Sequence, residues 1–421
     1  MNEHSSSVNG ISIYSLTNPN LRSFCLSLYV RAGSIFEDLS NNGISHLFEH
    51  VVFRNIKNKY ENFYELLAMH GLCFQGSTYK KFVSFTIDGP QHEFDFAIEI
   101  LCGLFDEIKL TSHDFNNEKG RIKAEIREKD RRSSLDFYFD SIVWKNSEVE
   151  KIVLGYCKTI DRVSVKKINE FRQKVLSAGN CFVYATGNIS DENLDALNKK
   201  ISELDISQSN PGFTNTVTVN DEFFHREKKI WIKNNYWHYI QIGFDVDCSK
   251  YPGGVYDLLY ALLFNGDKAL VYNYLSEDNP IIYSYDSTFE QYDNVGNINF
   301  SFEVDRNKIE DVFKTVVELL NAAKDGRFNF EANLNYEMFN WELDLDNPDN
   351  LNWNMAYYNH ILKTQPIDYS DEFYGRFRVT KEQIIDAAKY IFRRCNMTVA
   401  VKGDRKKINA EAIEKILELL D

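Results

Sequence analysis

The strongest constraint on this chain is that much of it is written twice. Residues 162–187 open with RVSVKKINEF and close with NCFVYATG, and residues 378–403 open with RVTKEQIIDA and close with NMTVAVKG. Arg162, Val163, Ser164, Asn180 and Gly187 recur as Arg378, Val379, Thr380, Asn396 and Gly403, each pair 216 positions apart without a gap. Both copies have the same local reading. Ser164 or Thr380 caps a helix, the helix ends near the Asn, and a short apolar strand runs into the Gly. Two weaker repeats follow the same order. NGISHLFEHVVF from Asn42 stands against GGVYDLLYALLF from Gly253, and Phe115, Asn116 and Glu118 against Phe328, Asn329 and Glu331. The offset drifts by a few residues, as small insertions in surface loops would make it. A repeat of this length implies two similar domains.

The polar stretch ISQSNPGFTNTVTVN, residues 206–220, holds a Pro-Gly turn and no helical period, so it marks the boundary. The expected division is 1–206, a linker at 207–220, and 221–421. Each half mixes alternating strands (CLSLYV and FVSFTI; YIQIGFDV and INFSFEV) with long amphipathic helices. Short connections between strands favour antiparallel pairing. The expected fold class is α+β, with two tandem domains, each an antiparallel sheet with helices packed on one face. The net charge of −14 argues against nucleic acid and against an anionic membrane surface as partners. Seven scattered cysteines without a CxxC pair suggest neither a disulfide framework nor a thiolate metal site. The first residues, MNEHSSSVNG, lack the layout of a signal peptide, and no run of 18 apolar residues occurs, so a cytoplasmic location is expected.

The chemistry lies in HLFEH. On a helix His46 and His50 share one face a turn apart, so two imidazoles can meet one metal ion. Glu49 falls on the same side without needing to be a ligand. This inverted form of HExxH keeps the same logic: zinc makes a bound water acidic and a nearby carboxylate takes its proton. A catalytic zinc needs a third protein ligand. In the helical segment EKGRIKAEIREKDRR, Glu118 and Glu125 are two turns apart on one face. Glu125 is the expected third ligand, and Glu118 is expected to orient a histidine or a water from behind. The competing reading is a satisfied core histidine pair or a solvated His–Glu face. Its difficulty is the apolar flank of HLFEHVVF, where unpaired polar groups are costly to bury. The other seven histidines form no such pair and read as structural or surface residues.

The chain resembles the pitrilysin-type zinc metallopeptidases, which include insulysin and the mitochondrial processing peptidases, and especially their small bacterial members. The likeness runs through YVRAGSIFED (Tyr29 to Asp38), NNGISHLFEHVVF, GLCFQGSTYKKFVSF (Gly71 to Phe85) and EKGRIKAEI (Glu118 to Ile126). It covers essentially the whole chain, because that family is also a tandem of similar halves. It implies that His46, His50 and Glu125 carry Zn2+ and that Glu49 is the general base. It also implies that the strand of Gln75, Gly76, Ser77 and Thr78 holds substrate as an added strand. Here Gln75-Gly76 stands where Asn-Ala is usual. Only the first half of such proteins holds metal. In this chain Asp257, Tyr260 and Ala261 stand opposite His46, Glu49 and His50, and Met338 opposite Glu125.

In the second half the family carries an Arg followed some seven residues later by a Tyr that reaches the active site. Tyr283 fits the Tyr, as a catalytic donor to the oxyanion, and Tyr285 is a neighbour that could replace it. Ser276 stands about where the Arg should be, and Ser cannot pin a substrate main chain as Arg does. The leading expectation is a zinc-dependent endopeptidase that cleaves short or unfolded peptides in a chamber between domains, with a bacteriocin precursor or leader peptide as one candidate substrate. The alternative is a peptide-binding, non-catalytic or half-site subunit of a heterodimeric peptidase. The resemblance further implies a homodimer or a heterodimer with a related subunit.

Overall fold

The computed structural model describes residues 3–129, 134–213, 217–364, 366–368 and 377–421. Residues 214–216 of the expected linker lie outside them. Eleven strands among the described residues form two sheets. The first is built from β1 (His4–Val8), β2 (Ile11–Thr17), β3 (Ser23–Arg31), β4 (Cys73–Thr78), β5 (Phe82–Pro90) and β6 (Cys181–Gly187). The second is built from β7 (Ile230–Asn234), β8 (Tyr239–Asp247), β9 (Asp286–Tyr292), β10 (Val295–Glu303) and β11 (Met397–Gly403). Their strand orders are β1-β2-β6-β3-β5-β4 and β7-β11-β8-β10-β9. Apart from β1 the two orders are the same list, which is the fold-level form of the sequence repeat. Most pairs are antiparallel, as the short connections demand. The exceptions are β2 with β6 and β7 with β11, which pair in parallel. Such a pair needs a long crossover, and in each half a helical region supplies it.

Strand alternation sorts the two faces of each sheet. In β3 the side chains of Leu26, Leu28 and Val30 enter one apolar core with Leu47, Val51, Ile98 and Ile168 of the helices. In β8 Ile240, Ile242, Phe244 and Val246 do the same with Leu259, Val316 and Ile384. The opposite faces are more polar, and each is also covered. Tyr29 Oη donates to Asn352 Oδ1 at 2.9 Å, from the helix Pro348–Met355. Asp245 pairs with Arg226 at 2.8 Å, and Arg226 Nη2 also donates to Val143 O at the end of the helix Leu135–Val143. Each sheet therefore has its main helices on one face and one shorter helix on the other.

Those shorter helices make the compact units discontinuous. Of the described residues, one unit takes 3–129, 151–213, 342–364 and 366–368; the other takes 134–150, 217–341 and 377–421. The linear division at 206 and 221 thus differs from the compact units by a reciprocal exchange. Each sequence half contributes one segment, containing the Leu135 or the Pro348 helix, to the unit built mainly from the other half. The physical reason is cover: the second face of each sheet carries buried groups that need partners. Among the described residues no helix is long and apolar enough to cross a membrane.

Candidate metal centre

The HLFEH motif sits on the helix Ile44–Lys57. Its start is fixed by the preceding loop. The buried Glu37 carboxylate accepts from the backbone N–H of Gly43 at 2.7 Å and of Ser45 at 2.8 Å, and from Asn42 Nδ2 at 2.8 Å. A carboxylate at a helix N-terminus satisfies otherwise unpaired amides and suits the dipole. Burial pushes the Glu37 carboxyl up, against the opposing pull of those donors. Gly43 lies at φ 95, and a Cβ there would stand 2.7 Å from Gly155 Cα, so this turn requires glycine. Leu47, Phe48, Val51 and Val52 bury one face and leave Glu49 and His50 lining a cleft of about 380 Å³, with His46 buried beside them.

The second contributor is the helix Ser112–Glu128, capped by Thr111, whose Oγ1 accepts from Asp114 N at 3.1 Å. Phe115 and Ile122 anchor it in the core, which turns Glu118 and Glu125 toward the motif helix. His46 Nε2 and Glu125 Oε2 are 3.5 Å apart. One ligand atom from each of His46, His50 and Glu125 lies within 4.8 Å of the other two. Ligands of a tetrahedral zinc with bonds of roughly 2.0–2.2 Å stand about 3.4 Å apart, a spacing that His46 and Glu125 already match. His46 is buried, and its Nδ1 has no hydrogen-bond partner among the described residues. Burial, then His50 and Lys129, lower its pKa to about 3, so the ring is neutral, the form that ligates.

Glu118 is 2% exposed and faces His50 Nδ1 at 3.6 Å, which leaves Nε2 of that ring for a ligand. Arg54, one turn beyond His50, bridges outward: its Nη2 is 2.6 Å from Asp114 Oδ1 and its Nε is 3.9 Å from Glu118 Oε1. Arg54 escaped the sequence reading, although its i+4 spacing from His50 was available as a signal. Glu49 stands beside the cluster on the floor of the cleft. Burial raises its carboxyl, opposed by a hydrogen bond from Thr78.

Of the expected substrate residues, Gln75, Gly76, Ser77 and Thr78 all lie on β4, the edge strand of its sheet. They divide by alternation. Gly76 and Thr78 face Glu49, with Thr78 Oγ1 donating to Glu49 Oε2 at 2.7 Å. Ser77 borders a second depression on the opposite side, with Asp88 and Asp349, and Gln75 lines both that depression and the cleft beside Glu49. Tyr283 belongs to the other compact unit, in the segment before β9, and is 98% exposed. Ser276 lies in that unit too, in the short helical turn Asn273–Glu277. Tyr285 is committed elsewhere: its hydroxyl donates to Phe264 O at 2.7 Å, so it is not a free substitute for Tyr283.

The geometry can be set beside known proteins. A family model described as Insulinase (Peptidase family M16) matches residues 13–155, and one described as Peptidase M16 inactive domain matches residues 162–332. An uncharacterized zinc protease, YmxG, of Bacillus subtilis is 21% identical over 75% of this chain and 77% of its own length. The mitochondrial-processing peptidase subunit beta of Saccharomyces cerevisiae is 24% identical, over 44% of this chain and 41% of that subunit. For that subunit the chain therefore spans less than half of the relative's length. Among solved structures, a protease from Helicobacter pylori superposes with a TM-score of 0.82 at 18% identity, covering 96% of this chain and 99% of that one. A peptidase M16 inactive domain from Pseudomonas fluorescens gives the same TM-score at 13% identity, covering 96% and 98%. The two family models follow one another along the chain, and the chain belongs to peptidase family M16, the insulinase family.

Proposed function

We propose that the chain is a zinc-dependent endopeptidase acting on short or unfolded peptides. The observation that carries this reading is the convergence of His46, His50 and Glu125 within 4.8 Å beside a carboxylate, Glu49, that the cluster does not need as a ligand. His46, His50 and Glu125 would hold the ion, and Glu118 would orient His50. A zinc ion there would supply Lewis acidity, making water a nucleophile near neutral pH and polarising a peptide carbonyl. Glu49 takes the proton of the attacking water and later returns it to the leaving amine. Its raised carboxyl pKa suits both steps. The exposed edge of β4 would take an extended peptide as an extra strand, by backbone hydrogen bonds that tolerate many sequences. Gln75 and Ser77 would then line one side of that peptide. Tyr283 would be the oxyanion donor contributed by the second repeat.

One observation favours a second reading, a half-site subunit that needs a related partner. Ser276 stands where the resemblance calls for an Arg. A relative named as a subunit, the mitochondrial-processing peptidase subunit beta, is consistent with it.

The test is cleavage of a mixed set of unstructured peptides, followed by mass spectrometry. Wild type is compared with Glu49→Gln, each with and without a chelator. Cleavage by wild type that vanishes in both controls is the expected result. Zinc-loaded protein that cleaves nothing would sink the stand-alone enzyme and turn attention to the partner.

A further inference from the structure

Glu49 has two carboxylate oxygens, and the structure treats them differently. Oε2 accepts a hydrogen bond from Thr78 Oγ1 at 2.7 Å. Oε1 lies over the bare Cα of Gly76, where a Cβ would stand 2.9 Å from Oε1 and 2.9 Å from Glu49 Cγ. Gly76 is not among the glycines with positive φ, so its backbone is open to other residues. What the position needs is the missing methyl. Both residues come from β4, and both point to the same face by alternation.

We propose that Thr78 is a positioning residue for the general base, and that Gly76 keeps free the space into which the base is positioned. This rests on the peptidase reading above and deepens it. The hydroxyl of Thr78 ties down Oε2 and fixes the rotation of the carboxylate. Oε1 is thereby presented over Gly76 to receive the proton of the attacking water. The edge strand thus serves twice: its backbone edge is available to an extended peptide, and its inward side chains hold the catalytic carboxylate in register with that edge. A carboxylate on a three-torsion side chain loses rate quickly when it can wander, because misplacement of about 1 Å costs on the order of a hundredfold.

The experiment compares wild type, Thr78→Val, Thr78→Ser and Gly76→Ala. Each is assayed for zinc content, for kcat and KM on one cleaved peptide, and for the 13C resonance of the Glu49 carboxyl. That resonance is assigned by its disappearance in Glu49→Gln. Thr78→Val should keep its zinc, because the hydrogen bond of the Thr78 hydroxyl goes to Glu49 and not to a ligand residue. It should lose roughly ten- to a hundredfold in kcat with KM within about threefold. Its Glu49 resonance should move, and Thr78→Ser, which keeps the hydroxyl, should bring back both kcat and resonance. Gly76→Ala should displace the flexible Glu49 side chain rather than the fold, giving a similar kcat loss at nearly unchanged Tm. Unchanged kcat in Thr78→Val, or a rise in KM alone, would overturn the proposal and make Thr78 a substrate contact. Wild type that cleaves nothing would defeat the peptidase reading instead. The resonance would then still decide the contact, since an unmoved signal in Thr78→Val overturns it.

Discussion

The two sheets share one strand order, yet only the first brings together a candidate metal cluster among the described residues of the two sheets and their helices. The pairing of β4 with β5 sets Cys73 against Asp88, and that of β9 with β10 sets Asp286 against Ser301. The same offset of 213 relates both members of the pair, so the sites can be compared position by position. Where the first sheet has Gly76 beneath Glu49, the second has Phe289; where the first has Glu49, the second has Tyr260. Tyr260 Oη is bonded to Ser287 Oγ at 2.8 Å, and Ala261, opposite His50, is fully buried. Met338, opposite Glu125, packs against the second core. The second unit has filled with aromatic and aliphatic groups the space that the first leaves to imidazoles and carboxylates. The lesson is that the sheet and core carry the fold, and the difference between the units is confined to a handful of positions facing one strand edge.

The comparison can be broken most violently at the ligands. Glu125→Met, which installs the residue of the second repeat, should abolish zinc binding measured by metal analysis and lower peptide cleavage by several orders of magnitude. Met338→Glu should add no second zinc, because Asp257 and Ala261, the counterparts of His46 and His50, are not imidazoles. A second equivalent of tightly held zinc in that variant would mean that the second site is nearer to function than its packing suggests.

The next contrast lies on the covered second face. That face carries Tyr29 in β3 and Asp245 in β8, a neutral hydrogen bond in one unit and a buried ion pair in the other. Arg226→Met strands the fully buried Asp245 and should cost about 3–5 kcal/mol. Tyr29→Phe removes one hydrogen bond and should cost about 1–3 kcal/mol. Chemical denaturation measures both. Equal costs would erase the distinction.

A smaller effect appears with pH, in metal-free protein. His46 is held at about 3 in the fold by burial, His50 and Lys129, against about 6.5 in an unfolded chain. Between those values the unfolded chain binds the extra proton. The stability tied to neutral His46 is therefore complete above pH ~6.5 and is lost as pH falls toward 3. Tm should fall on acidification from about pH 7 to 5, and His46→Gln should flatten that slope. Hydrogen exchange should locate the loosening in β3 rather than in β8.

The smallest effect sharpens the likeness instead of the difference. Ser164 Oγ accepts from Lys167 N at 3.2 Å, and Thr380 Oγ1 from Gln383 N at 3.3 Å, at the same place in the repeat. Ser164→Ala and Thr380→Ala should each cost about 1 kcal/mol. Unequal costs would show that the two caps, though alike in sequence, carry different loads.

What the sequence determined by itself was local or repetitive. The duplication, the helix caps at Ser164 and Thr380, the spacing of His46, Glu49 and His50, and the shared face of Glu118 and Glu125 all follow from helical periodicity, so they could be read without coordinates. The tertiary structure decided what depends on residues far apart in the chain. Only strand packing could set Thr78 against Glu49 and show that Gly76 makes room for it, since 29 and 27 positions separate those residues and nothing local links them. The parallel pairing of β2 with β6 was hidden for the same reason. So was the exchange of the Leu135–Val143 and Pro348–Met355 helices between units. An amphipathic helix announces in its sequence that one face must be buried, but which sheet buries it is settled by complementarity of surfaces that no local pattern encodes.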